Sequence, residues 1–71
     1  MTQLDLTLRG DFIALDALLK ATGLAESGGR ARALISEGSV LVDGQVETRK
    51  TCKIRAGQQV CIDGHTVNVC A

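Results

Sequence analysis

The chain has 71 residues, 45% of them hydrophobic, with 8 basic and 8 acidic side chains and a formal net charge of zero. That length and composition fit one compact domain, 1–71, with one core, better than a disordered tail. A domain this small keeps only about 3 to 5 kcal/mol of net stability, so a local defect of about 1 kcal/mol calls for a physical reason.

The opening stretch "MTQLDLTLRGD" lacks the basic start and apolar run of a signal peptide. No segment approaches the roughly 20 apolar residues that span a bilayer. The expected setting is the cytoplasm. Cys52, Cys61 and Cys70 are odd in number and contain no CxxC pair, which predicts free thiols in a reducing compartment.

Leu4, Leu6 and Leu8 alternate with polar residues, which predicts a short strand over 3–9 that stops at Gly10. Asp11 is placed to cap a helix whose apolar positions Phe12, Leu15, Leu18, Leu19 and Thr22 follow the 3.6-residue period. Asp16 and Lys20 would pair on its outer face, and Gly23 would close it. On this reading Phe12, the sole aromatic residue, belongs to the core.

Ser27 is placed to cap a second helix, with Ala31, Leu34 and Ile35 inward and Gly38 at its end. The link between the helices is short, so they pack as a hairpin. After Gly38 the period changes to two. "SVLVDGQVE" and "QQVCIDGHTVNV" each set Asp-Gly between alternating apolar residues, the signal for a tight hairpin. A two-residue turn at Asp63 and Gly64 puts Val60, Ile62, Val67 and Val69 on one face, with Cys61 on the other. The same register at Asp43 and Gly44 separates Val40 and Val42 from Val46, which predicts either a bulge or a different loop there. The fold class is α+β: a two-helix hairpin packed on a small, mainly antiparallel sheet.

The zero net charge conceals two basic stretches in an otherwise acidic chain. "SGGRAR", Ser27 to Arg32, carries +2 and Thr48 to Ile62 carries +4, and neither contains an acid. Gly28 and Gly29 in a first helical turn cost up to about 1 kcal/mol each, and Arg30 near the positive end of the dipole adds a few tenths of a kcal/mol. The same features suit an incoming phosphate: open amides, no Cβ in the way, and Arg30 and Arg32 beside them. The plainer explanation is a loosened turn with solvated arginines. "TRKTCKIR", with Arg49, Lys50, Lys53 and Arg55, moves the balance towards a polyanion. With Phe12 in the core there is no platform for stacking bases, so recognition should run through the phosphates and shape of structured RNA.

These residues resemble the S-four domain, the RNA-binding module named after ribosomal small-subunit protein four, with its two-helix and hairpin alpha-L motif. The resemblance spans about 12–69. It rests on "ALDALLKATGLAESGGRARALISEGSVLVDGQV" and "KIRAGQQVCI", in which Leu15, Asp16, Leu19, Gly23, Ser27, Ala31, Leu34, Ile35, Gly38, Val40, Val42, Gly44 and Gly57 keep the motif's spacing. "ESGGRA", "AGQ" and "GHTV" are similar to small stand-alone bacterial members described as RNA-binding and ribosome-associated. The resemblance implies a non-catalytic accessory factor, expected as a monomer, that binds structured RNA, ribosomal RNA being one target. It also implies an RNA surface at the start of the second helix and the neighbouring hairpin, where Ser27 and Arg32 match the motif. Ala14 and Gly28 stand where many members have arginine; Arg30 and the run Arg49, Lys50, Lys53, Arg55 are the replacements that charge suggests.

Two other classes compete. A docking module for a ribosomal or RNA-processing protein would show association that survives high salt. A metal or thiol site at Cys52, Cys61, His65 and Cys70 lacks the paired spacing of structural zinc, and the hairpin register turns Cys61 and His65 to opposite faces, His65 being a surface or rim residue. Ser27 has no nearby base and Asp43 and Asp63 are explained by their turns, so no catalytic residue, metal or cofactor is expected.

Overall fold

Both Asp-Gly pairs form the tight turns their sequence dictates. In the computed structural model, which describes residues 2–71, Asp43 and Gly44 have φ of 51° and 84°, and Asp63 and Gly64 have 53° and 81°. Two successive positive φ values give the type I′ geometry whose twist matches that of the flanking strands. The elements in chain order are β1 (Thr2–Thr7), β2 (Ile13–Ala14), α1 (Leu15–Ala21), α2 (Gly28–Ser36), β3 (Val40–Val42), β4 (Gln45–Val46), β5 (Lys53–Ile54), β6 (Gln59–Ile62) and β7 (His65–Cys70).

Five strands form one sheet in the order β1-β7-β6-β3-β4, and β2 and β5 form a separate two-stranded ribbon. All neighbours are antiparallel except β1 and β7, which run parallel with Leu4 beside Val67 and Leu6 beside Val69. β1 ends at Thr7 rather than at residue 9, although the Leu8 N–H still reaches the Cys70 carbonyl at 2.8 Å. The two helices lie on the apolar face of the sheet. Leu15, Leu18, Leu19, Ala31 and Ile35 meet Val40, Val60, Ile62, Val67 and Val69 there, and all ten have little or no exposed surface. The chain is thus an α+β fold with a helix hairpin on a mainly antiparallel sheet.

The first hairpin needs no bulge. Leu41 pairs with Val46 and Val42 with Gln45 across a two-residue turn. Val46 therefore lies on the face away from the core, 59% exposed. Asp43 holds this hairpin to β6 as well as making its turn: its carboxylate accepts from the Gln59 N–H at 2.9 Å and from Gln58 Nε2 at 3.1 Å. Those two bonds, the Gln59 amide first, hold its pKa below the ordinary aspartate value.

The start of the first helix departs from the periodic reading. Asp11 caps nothing; α1 begins at Leu15, after Ala14, and has no side-chain cap. Ile13 and Ala14 instead pair with Ile54 and Lys53. Immediately beyond that ribbon, the Leu15 N–H donates to the Cys52 carbonyl at 2.9 Å and the Asp16 N–H to the Lys50 carbonyl at 3.1 Å. The open amides of the first turn are thus satisfied by the backbone of a segment some 35 residues away, a partner that helical periodicity cannot reveal. Ile13 faces the core beside the fully buried Ile54, so alternation turns Phe12 outward, where it is 44% exposed. The expectation of a core Phe12 is corrected on this ground.

At the far end, Thr22 returns its hydroxyl to the Leu18 carbonyl at 2.9 Å and Gly23 follows in the left-handed conformation. In α2 the cap is as expected: Ser27 is extended and its Oγ accepts from the Arg30 N–H at 3.1 Å. Ala31 and Ile35 are buried and Leu34 half-buried.

Ile54 joins the ribbon to the core, and truncating it leaves a cavity beneath the segment that caps α1. Ile54→Ala should cost about 2 to 5 kcal/mol, most of the stability of a domain this size. Urea unfolding followed by helical circular dichroism checks this; a loss well under 1 kcal/mol would mean that the ribbon does not anchor the fold.

Candidate nucleic-acid interface

The first turn of α2 is built around two glycines that the fold itself does not require. Neither Gly28 nor Gly29 has a positive φ. A Cβ at Gly28 would come no closer than 3.7 Å to the Arg32 guanidinium, and one at Gly29 would meet only Ser27 Oγ at 3.8 Å, both ordinary contacts. Alanine would fit at either position and favour the helix more.

Arg32 lies along this turn towards α1, where its Nη1 is 3.6 Å from Asp16 Oδ2. Asp16 is also the residue whose amide bonds the Lys50 carbonyl, and its Oδ1 accepts from the Ala17 N–H at 2.9 Å. The start of α2, the start of α1 and the basic link between the hairpins therefore meet at Asp16. The expected surface pair of Asp16 with Lys20 is not what forms; Asp16 turns to Arg32 instead. Helical spacing offered Lys20 at i+4, and tertiary packing chose Arg32 instead.

The basic residues divide by what they touch. Arg30, two positions before Arg32 and so on another side of α2, reaches Glu37 at 3.9 Å. It lines a cleft of about 710 Å³ whose other walls include Glu26, Glu37, Asp63 and His65, so it is not brought together with Arg32. Arg49 is engaged by Glu47: Nη2 to Oε1 at 2.9 Å, and both Nε and the backbone N–H to Oε2 at 3.0 Å. This grip, the guanidinium first, takes the Glu47 carboxyl from 4.5 down to about 2. Lys50, Lys53 and Arg55 form no ion pair among the described residues. Lys53 Nζ lies 5.0 Å from the centroid of the Phe12 ring and the Arg55 guanidinium carbon 5.9 Å from it. The three follow from register: Phe12, Lys53 and Arg55 all alternate with the core-facing Ile13 and Ile54.

The sulfur-bearing residues are scattered. Cys61 lies opposite Thr66, with Sγ 3.6 Å from the hydroxyl, while His65 pairs with Ile62 on the other face. His65 is half-buried at the rim, its Nδ1 enclosed without a hydrogen-bond partner. Cys52 is half-buried beside Glu47 and Arg49; burial pushes its thiol up, and the neighbouring Glu47 carboxylate adds to the rise. Cys70 is exposed, and all three cysteines are free thiols.

Two residues of this surface were not identifiable as such in the sequence, Asp16 as the junction and Phe12 as an exposed ring. The short apolar run "FIA" before "LDALL" carried the signal for Phe12, since a two-residue strand there reverses which side chain faces in.

The family described as S4 domain matches residues 6–70. The chain belongs to it. Among S4-domain relatives, YbcJ of Escherichia coli strain K12, a candidate RNA-binding protein by name, is 56% identical over 59 residues, covering 83% of this chain and 84% of its own. YbcJ of Shigella flexneri shows the same identity over the same length. The solution structure of the E. coli protein, described as revealing a motif involved in RNA binding, superposes with a TM-score of 0.71 at 49% identity, covering 100% of this chain and 89% of that one. Among the described residues of this S4-domain chain, no helix is long and apolar enough to cross a membrane.

Glu47 is more easily ionised in the fold than in the unfolded chain, so its contribution is complete above the ordinary glutamate range and is lost as the pH falls from 4.5 towards about 2. Glu47→Gln should remove that part of the acid destabilisation. Thermal melts at successive pH values read it, and an acid limb identical to that of the parent would show that the Arg49 pair contributes nothing to the folded state.

Proposed function

We propose that this chain is a small, non-catalytic RNA-binding protein that grips structured RNA by its phosphates where the first turn of α2 meets the basic link between the hairpins. Its relatives support the class of ligand: one is a candidate RNA-binding protein by name, and the matching structure is described by a motif involved in RNA binding. The observation that carries the reading is the junction at Asp16, which sets Arg32 against the segment of Lys50, Lys53 and Arg55. The anion would bind at the amides of Gly28 and Gly29 behind the Ser27 cap, with Arg32 and Lys50 beside them and Lys53 and Arg55 extending the track. Arg30 and Arg49, each held by a glutamate, contribute less.

Two further parts of the proposal follow from family and composition. The protein works in the cytoplasm as a monomer, residues 1–71 act as one RNA-binding domain, and its target is ribosomal or another folded RNA. Asp43 and Asp63 serve turns, and Ser27 serves a cap, which supports the absence of a catalytic role.

Neutralising about three to five phosphates makes log K fall with log salt by about 0.7 to 0.9 per phosphate. Replacing Arg32, Lys50, Lys53 and Arg55 together by alanine should abolish binding to a folded RNA and flatten that slope while circular dichroism stays native. Parent-like affinity in the folded quadruple variant would sink the proposal, as would a parent slope near zero.

The glycines supply a separate check. Gly28→Ala and Gly29→Ala should each stabilise the domain by a few tenths to about 1 kcal/mol and weaken RNA binding, because the added methyl group narrows the approach to the amides. Melting temperature and a binding titration on the same samples should therefore move in opposite directions; tighter binding by the alanine variants would refute the role given to the amides.

A further inference from the structure

The exposed ring of Phe12 has no counterpart in a surface that reads only phosphates. It is the sole aromatic residue of the chain and, among the described residues, one of two large apolar side chains left open, at 44% exposure. It borders a groove of about 460 Å³ whose walls include Leu6, Leu8, Arg9 and Ile13. Lys53 and Arg55 lie over the ring at 5.0 and 5.9 Å. Neither they nor Arg9 forms an ion pair among the described residues, and Asp11 is the one acid in the adjoining segment.

A part-exposed aromatic ring beside cations that have no acidic partner is what suits a single-stranded nucleic acid: the ring stacks a base, and the cations leave the ring for the phosphates on either side of it. A folded duplex offers no free base face at its flank, so the ring would add little to duplex binding. We propose that Phe12, with Lys53 and Arg55, holds an unpaired nucleobase in a single-stranded segment adjoining the folded RNA. This deepens the RNA-binding reading above and rests on it. It also divides the basic link into two parts, with Lys50 serving the α2 site and Lys53 and Arg55 serving the ring. Phe12 lines the groove together with Leu6, Leu8, Arg9 and Ile13, so the base would lie against the ring and these aliphatic side chains, with Arg9 close by.

Three probes separate this proposal from the one it rests on: a short RNA hairpin, the same hairpin with a single-stranded oligoadenosine tail, and the same hairpin with an abasic tail of equal length. The parent protein should bind the oligoadenosine-tailed hairpin about five-fold or more tighter than the bare one, and the abasic tail should recover little of that gain. Phe12→Leu keeps the apolar volume and removes the ring; it should reduce the ratio of tailed to bare affinity to near one. Phe12→Trp should preserve or raise the ratio. The chain has no Trp or Tyr, so the emission of that variant reports the site alone and should be quenched by the oligoadenosine tail and not by the abasic one. An abasic tail as effective as the oligoadenosine tail, or an unchanged ratio in Phe12→Leu, overturns the stacking site and leaves the phosphate surface standing. Failure of the parent to bind any of the three overturns both.

Discussion

Two backbone hydrogen bonds hold the architecture of the surface in place: the amides of Leu15 and Asp16 to the carbonyls of Cys52 and Lys50. A helix start presents donors that must be satisfied, and here a distant loop satisfies them in place of a capping side chain. The consequence is geometric. Once residues 50 and 52 are fixed to the head of α1, and Ile13 and Ala14 are paired with Ile54 and Lys53, the basic link cannot swing into solvent as its composition would suggest. It is held beside α2, whose Arg32 reaches the same Asp16.

Charge is allotted as economically as backbone. Of the cations in the two basic stretches, Arg30, Arg32 and Arg49 each have an acidic partner, whereas Lys50, Lys53 and Arg55 have none among the described residues. Pairs of this kind, in which the arginine is exposed, are worth about 0 to 1 kcal/mol and are easily exchanged for a phosphate, so they orient the arginines more than they stabilise the fold. Arg32 and Asp16 illustrate the difference that geometry makes: the pair is loose at 3.6 Å, yet it holds the guanidinium across Gly28, at the site where an anion would approach the amides. Arg49 is held far more tightly, through three hydrogen bonds to one carboxylate, and its charge is correspondingly less available.

Two features look costly in a small domain. Two glycines occupy helical positions where alanine would fit, and the largest apolar ring in the chain stands in solvent. The rest of the molecule is economical: tight turns at both Asp-Gly pairs, a core of aliphatic side chains from two helices and one sheet face, and no buried charged residue among those described. Local departures from good folding practice are expected where residues serve something other than the fold.

Short-range chemistry by itself determined much of this protein. The Asp-Gly turns, the Ser27 cap, the glycine stops at residues 23 and 38, the second hairpin's apolar face and the motif that marks the S4 domain all follow from neighbours a few residues apart, because turn and helix geometry depends on local dihedral preferences and on spacing. Only the tertiary structure decided that β1 joins the sheet parallel to β7, that Val46 faces outward without a bulge, and that Arg30 and Arg32 go to different partners. It likewise decided the start of α1 and the exposure of Phe12. In "DFIALDALL" the helical period continues smoothly back through Phe12, and what interrupts it is pairing with residues 53 and 54, some 40 positions further along the chain. A periodic pattern states which side chains share a face if the segment is a helix; it carries no information about a distant strand that competes for the same backbone.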